Sequence, residues 1–164
     1  MHAPQVLVVD DDLEIRRLLA RYMLEQGFRV QLASECAEVR ERIAANQIDV
    51  IVLDVMLPDG SGLDLCRDLR TRRLKIPIIL VTALKEDVDR FVGREIGADD
   101  CVGKPFNPRE LVGRIRAILR RDQDDRAAER GTGRHLSEEV VADQFIRAVT
   151  DPEDGEGELT GKAT

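Results

Sequence analysis

"VLVVDDD", residues 6–12, drives four apolar residues straight into three aspartates, Asp10, Asp11 and Asp12. A continuous run of Val and Leu suits a strand buried on both faces. Three adjacent like charges repel one another and resist burial. The run must therefore end at a surface, and something at that surface must make the negative charge useful.

The neighbouring sequence supplies the rest of the sheet. Apolar runs recur at "QVLVV" (5–9), "RVQLA" (29–33), "VIVLDVM" (50–56), "IPIILVTA" (76–83) and "CVG" (101–103). Helical spacings lie between them. Ile15, Leu18, Leu19 and Tyr22 repeat at i, i+3, i+4 and i+7; Val39 and Ile43 mark 35–46; Leu63, Cys66 and Leu69 mark 62–72. Val88, Phe91 and Val92 mark a fourth helix, and Leu111, Ile115 and Ile118 a fifth, entered through Pro108 in its first turn. Gly27 and Gly97 fall where helices should stop. Strand and helix alternate five times, which predicts a doubly wound α/β domain with a parallel sheet and helices on both faces. Ligands of such sheets bind beyond the carboxyl ends of the strands, and Asp10 and Asp11 stand there.

Other strand ends are polar too: Asp54 after "VIVL", Thr82 after "ILV", Lys104 after "CVG". Carboxylates that converge destabilise one another unless a cation joins them. A hard, oxygen-seeking ion such as Mg²⁺ fits that requirement. Lys104 adds a mobile point charge suited to a phosphoryl oxygen, and Thr82 a hydroxyl. Asp12, ahead of the first helix, reads as its N-cap.

Composition bounds the alternatives. The 164 residues are 43% hydrophobic, 35% charged and 3% aromatic, with no Trp, so the core is aliphatic. No apolar run approaches the ~20 residues of a membrane span, and "MHAPQ" does not read as a signal peptide; the expectation is a cytoplasmic protein with no membrane contact. Cys36, Cys66 and Cys101 form no CxxC, and His2 and His135 are the only histidines, which leaves no zinc set and predicts free thiols. Residues 1–121 hold 20 acidic and 20 basic side chains, residues 122–164 hold 12 and 5. The whole net charge of −7 thus sits in the last part of the chain. This predicts a domain over 1–121 and an acidic, largely disordered tail over 122–164.

"VLVVDDD", "VLDVMLPDGSGLDLCR", "VTA" and "GADDCVGKPFNPRELVGRIRAILRR" together resemble the receiver domain of two-component response regulators, and the last stretch resembles the OmpR/PhoB subfamily. The resemblance implies a flavodoxin-like (βα)5 fold with strand order 2-1-3-4-5. It makes Asp54 the phosphoacceptor for a sensor histidine kinase. It gives Mg²⁺ to Asp10, Asp11, Asp54 and the backbone carbonyl of Met56. It assigns the phosphoryl group to Thr82, Ala83 and Lys104, and a cis bond to Lys104–Pro105. "LPDGSG" (57–62) becomes a tight turn in which Gly60 and Gly62 allow unusual dihedrals. It also implies a homodimer on activation through the fourth helix, fifth strand and fifth helix, with Arg90 facing Glu110, Asp100 facing Arg114 and Asp99 facing Arg121. Such a domain is a switch that catalyses its own phosphorylation and dephosphorylation more than it is an enzyme.

Two departures qualify the resemblance. Cys101 stands where the family carries an inward-swinging aromatic, and a small thiol cannot fill the same pocket. The winged-helix output domain is also absent; "ADQFIRAVTDPEDGEGELT" (142–160) resembles only its opening hairpin. With no recognition helix and an acidic tail, this chain alone is not expected to bind DNA. The reading is therefore a receiver acting through protein contacts, or an OmpR/PhoB-type transcriptional regulator without its output domain. An aspartyl-phosphate hydrolase would want a second Asp at the position of Met56, and a flavin or nucleotide module a Gly-rich phosphate loop in place of "DDDLEI".

Overall fold

The computed structural model describes residues 3–83 and 96–131. Five parallel strands form one sheet: β1 (Gln5–Val9), β2 (Arg29–Ala33), β3 (Val50–Asp54), β4 (Ile78–Thr82) and β5 (Asp100–Gly103). Their order is β2-β1-β3-β4-β5, as expected. The strands β1, β3 and β4 are buried along their whole length, which is why their runs show no polar alternation.

Successive side chains of each strand enter opposite layers. Leu7, Val9, Ile51, Leu53, Ile78 and Leu80 pack with α2 (Cys36–Ala45) and α3 (Gly62–Thr71). Val6, Val8, Val50, Val52, Ile79 and Val81 pack with α1 (Leu13–Glu25) and the C-terminal helix (Pro108–Gly131). On α1 the buried positions are Leu19 and Met23, with Ile15 and Tyr22 packed beside them. Leu18, assigned to that stripe by spacing, is 54% exposed; one position before Leu19, it lies about 100° away around the helix. Gly27 ends α1 with φ +92, a conformation that a side chain disfavours.

The C-terminal helix starts at Pro108 as expected but runs on to Gly131, past Arg121. Its last turns are polar and carry the Asp122–Arg126 ion pair, 3.3 Å. The expected fourth helix, Arg90 within it, and the part of the tail from 132 onward lie outside the described residues. No described helix is long and apolar enough to cross a membrane.

Candidate functional site

Parallel strands deliver their last residues to one edge, and here those residues are acidic. Asp10, just past β1, and Asp54, the last residue of β3, are 3% and 4% exposed. Asp11 is exposed beside them. Carboxylate oxygens of all three lie within 4.8 Å of one another. Lys104, just past β5, places its Nζ 2.9 Å from Asp10 Oδ2 and 3.0 Å from Asp54 Oδ2. Thr82 ends β4 and is buried, Ala83 follows it on the surface, and the Thr82 carbonyl accepts from Lys104 N at 2.8 Å. Asp10, Asp11, Asp54 and Lys104 thus lie together at this edge, and Thr82 joins Lys104 through its backbone.

Short-range contacts hold this edge. Asp12 caps α1, its Oδ1 accepting from Glu14 N at 2.8 Å and Ile15 N at 3.3 Å. Asp10 Oδ1 accepts from Asp12 N at 2.9 Å. Arg16 Nη1 donates to the Asp10 carbonyl at 2.6 Å, a role its position in α1 did not announce. The bond Lys104–Pro105 is cis.

The segment after the acceptor folds back on itself. Met56–Leu57 pairs antiparallel with Gly60–Ser61, Met56 N donates to Asp54 Oδ1 at 3.2 Å, and Gly62 N donates to the Val55 carbonyl at 2.7 Å. Gly62 does not have the unusual dihedral expected of it; it is absent from the residues with positive φ. It is glycine for room: a Cβ there would lie 2.1 Å from the Asp54 carbonyl oxygen.

Electrostatics at the pocket are unbalanced. Burial pushes the Asp54 carboxyl above the usual carboxylate range and Asp10 adds to that, against the hydrogen bonds from Lys104 and Met56. Burial works against the Lys104 charge, but its bonds to Asp10 and Asp54 prevail and hold its pKa above the ordinary value. Several oxygens gathered around one ammonium are a hard donor set with negative charge to spare, which suits a divalent cation such as Mg²⁺.

The remaining predicted residues are elsewhere. Cys101 is 4% exposed in β5 and belongs to the core layer of α2 and α3. Asp99 stands just before β5 and Asp100 opens it. Both already have partners within the chain: Arg70 Nη2 lies 3.0 Å from Asp99, and Arg114 Nη1 lies 2.8 and 2.9 Å from the two oxygens of Asp100. Glu110 lies 3.5 Å from Arg114, and Arg121 is exposed on the C-terminal helix.

A parallel sheet of this order, with an acid pocket and a lysine at its carboxyl edge, defines a phosphoacceptor class. Residues 6–116 match the response regulator receiver domain family, and the chain belongs to it. Accepting a phosphoryl group from a histidine kinase is the general role of such domains. The chain is 48% identical over 120 residues to the transcriptional regulatory protein GltR of Pseudomonas aeruginosa, covering 72% of this chain and 50% of that one. It is 43% identical over 119 residues to the alkaline phosphatase synthesis transcriptional regulatory protein PhoP of Bacillus subtilis, covering 73% and 50%. The chain thus spans about half the length of these relatives. Among solved structures, the receiver domain of the TMAO respiratory system response regulator TorR is 40% identical with a TM-score of 0.66, covering 72% of this chain and 98% of that one.

Proposed function

We propose that Asp54 is the phosphoacceptor of this receiver and that its phosphorylation, supported by Mg²⁺, switches protein–protein association. The observation that carries this reading is the convergence of Asp10, Asp11 and Asp54 within 4.8 Å, with Lys104 bridging Asp10 and Asp54. A carboxylate oxygen of Asp54 forms a bond to phosphorus as the bond from phosphorus to the donor imidazole breaks, and the imidazole nitrogen keeps the electron pair. Asp10, Asp11, Asp54 and the Met56 carbonyl would hold the cation, which supplies charge neutralisation at the phosphoryl oxygens. Lys104 adds a second positive charge, and Thr82 at the end of β4 would offer its hydroxyl to the new group. The product carries up to about two negative charges in a buried pocket and draws both residues toward it.

The association we assign to the switch is a symmetric dimer through the expected fourth helix, β5 and the C-terminal helix, using Arg90, Asp99, Asp100, Glu110, Arg114 and Arg121. Each exposed pair is worth ~0–1 kcal/mol, so the charges set partner and register more than strength. Because Asp100 and Arg114 are already paired within the chain, the dimer must exchange or share that pair. This chain alone makes no sequence-specific DNA contact in this reading.

Intact-mass measurement with Mg²⁺ and a small phosphodonor tests the acceptor. Wild type gains one phosphoryl group and Asp54→Asn none; equal incorporation in both sinks the assignment. Asp11→Asn weakens Mg²⁺ more than Asp10→Asn, because Asp11 is not engaged by Lys104. Sedimentation with and without beryllofluoride tests the dimer, which Arg114→Glu should abolish.

A further inference from the structure

Helix α2 begins without a cap of its own. Glu35 occupies the N-cap position but makes no side-chain cap hydrogen bond. The first donors of α2 go to another segment: Asp59 Oδ1 accepts from Cys36 N at 2.8 Å, and Asp59 Oδ2 from Ala37 N at 3.0 Å. Asp59 is the tip of the hairpin that follows Asp54. The base of that hairpin is Met56, whose N–H bonds the acceptor and whose carbonyl is assigned to the cation. One strand-pair of two residues is a weak support, so a hairpin of this size needs its tip held. The partial positive charge at the start of α2 suits a carboxylate, and both oxygens are used. A Cβ at Gly60, next to Asp59, would meet the Cys36 thiol at 3.6 Å, so the tip stands beside the first turn of α2.

We propose that Asp59 is a positioning residue for the phosphorylation site: by bolting the hairpin tip to the N-terminus of α2, it fixes the backbone of Met56 for the cation. The inference rests on the acceptor reading above. It also makes α2 part of the site's frame, although no α2 side chain enters the pocket chemistry.

The test uses the full chain as wild type, Asp59→Ala and Asp59→Asn. Asn keeps an oxygen that can cap a helix but loses the charge. Three quantities are read: amide exchange at Cys36 and Ala37, Mg²⁺ affinity from chemical-shift titration without phosphodonor, and the phosphorylation rate at saturating Mg²⁺. Asp59→Ala should speed exchange at both amides and weaken Mg²⁺ about threefold or more, with the saturating rate within about twofold; Asp59→Asn, left with one acceptor for two N–H groups, should fall between Ala and wild type. Faster exchange with unchanged Mg²⁺ affinity would overturn the proposal and leave Asp59 a helix cap only. Unchanged exchange at both amides in Asp59→Ala would overturn the bond between the hairpin tip and α2. A wild type that takes no Mg²⁺, or an Asp54→Asn protein that still takes phosphate, would fail the acceptor reading instead.

Discussion

The two edges of the sheet handle acidic residues in opposite ways. At the carboxyl edge, Asp10 and Asp54 share the single ammonium of Lys104, and Asp11 stands beside them. At the opposite edge Asp99 and Asp100 each have a guanidinium, Asp99 that of Arg70 and Asp100 that of Arg114. The consequence appears in the ionisation equilibria. Burial, with Asp10 adding to it, makes the Asp54 charge costly, whereas the hydrogen bond to Asp100 makes the Arg114 charge more secure than usual. Charge left uncompensated inside the chain is available to a ligand, and charge compensated one to one is structure.

That comparison breaks first at Arg70. Its Nε donates to the Gly97 carbonyl at 2.8 Å, Nη1 to the Leu74 carbonyl at 2.7 Å, and Nη2 to Asp99 at 3.0 Å. One side chain thus ties the end of α3 to the approach of β5. Arg70→Met should cost about 2–3 kcal/mol, since charge-assisted bonds to partly buried acceptors are lost together. Urea unfolding measures it; a loss below ~0.5 kcal/mol would mean that this edge is not held as described.

A smaller change of opposite sign is expected at the other edge. Asp54→Asn removes a buried charge whose ionisation the fold disfavours, so the cation-free protein should gain about 1–2 kcal/mol at neutral pH. The sign follows from linkage: an acid whose folded pKa is raised destabilises the fold above its unfolded pKa, and the penalty fades as pH falls through the folded value. The gap between Asp54→Asn and wild type should therefore narrow as pH falls from neutral toward the carboxylate range. A destabilised Asn variant at neutral pH would show that the Lys104 contact outweighs burial, and the contrast between the edges would fail.

Much of this was legible in the sequence because it is short-range or strictly periodic. Strand runs of Val, Ile and Leu could be buried only one way, and parallel topology then forces their terminal residues onto one edge; hence Asp10, Asp54, Thr82 and Lys104 were found without coordinates. Contacts that cross elements leave no periodic trace. Asp59 sits in a segment that reads only as a turn, and nothing in "LPDGSG" says that its carboxylate caps a helix 23 residues away in sequence. Arg70 looks like one more basic residue of an exposed face. Gly62 was read as a dihedral requirement because turns usually want that, whereas proximity to the Asp54 carbonyl decides it. The extension of the last helix beyond Arg121 was hidden by composition: a polar, charged stretch reads as tail, although i,i+4 pairs such as Asp122 and Arg126 support helix as well.

The smallest expected effect concerns the thiols that flank the two edges. Cys36 lies beside Asp59 at the carboxyl edge, and Cys66, fully buried, lies near Arg70 and Asp99 at the other. Both are pushed up to about 11, chiefly by burial. The second cause differs: the Asp59 charge raises Cys36 further, while Arg70 pulls Cys66 down against Asp99. A thiol with a pKa near 11 is about one part in a thousand thiolate at pH 8, and that fraction grows about tenfold per pH unit until the pKa is reached. Alkylation of native protein by iodoacetamide at pH 8, mapped by peptide mass, should therefore be slow at both positions and rise steeply with pH at Cys36. Asp59→Asn should speed Cys36 several-fold at pH 8, because it removes the charge while keeping one of the two acceptors. Asp99→Asn should leave Cys66 almost unchanged, because burial dominates there. Rapid alkylation of wild-type Cys36 at pH 8 would refute the contact with Asp59; a Cys66 that answers to Asp99→Asn as strongly as Cys36 answers to Asp59→Asn would erase the difference between the edges.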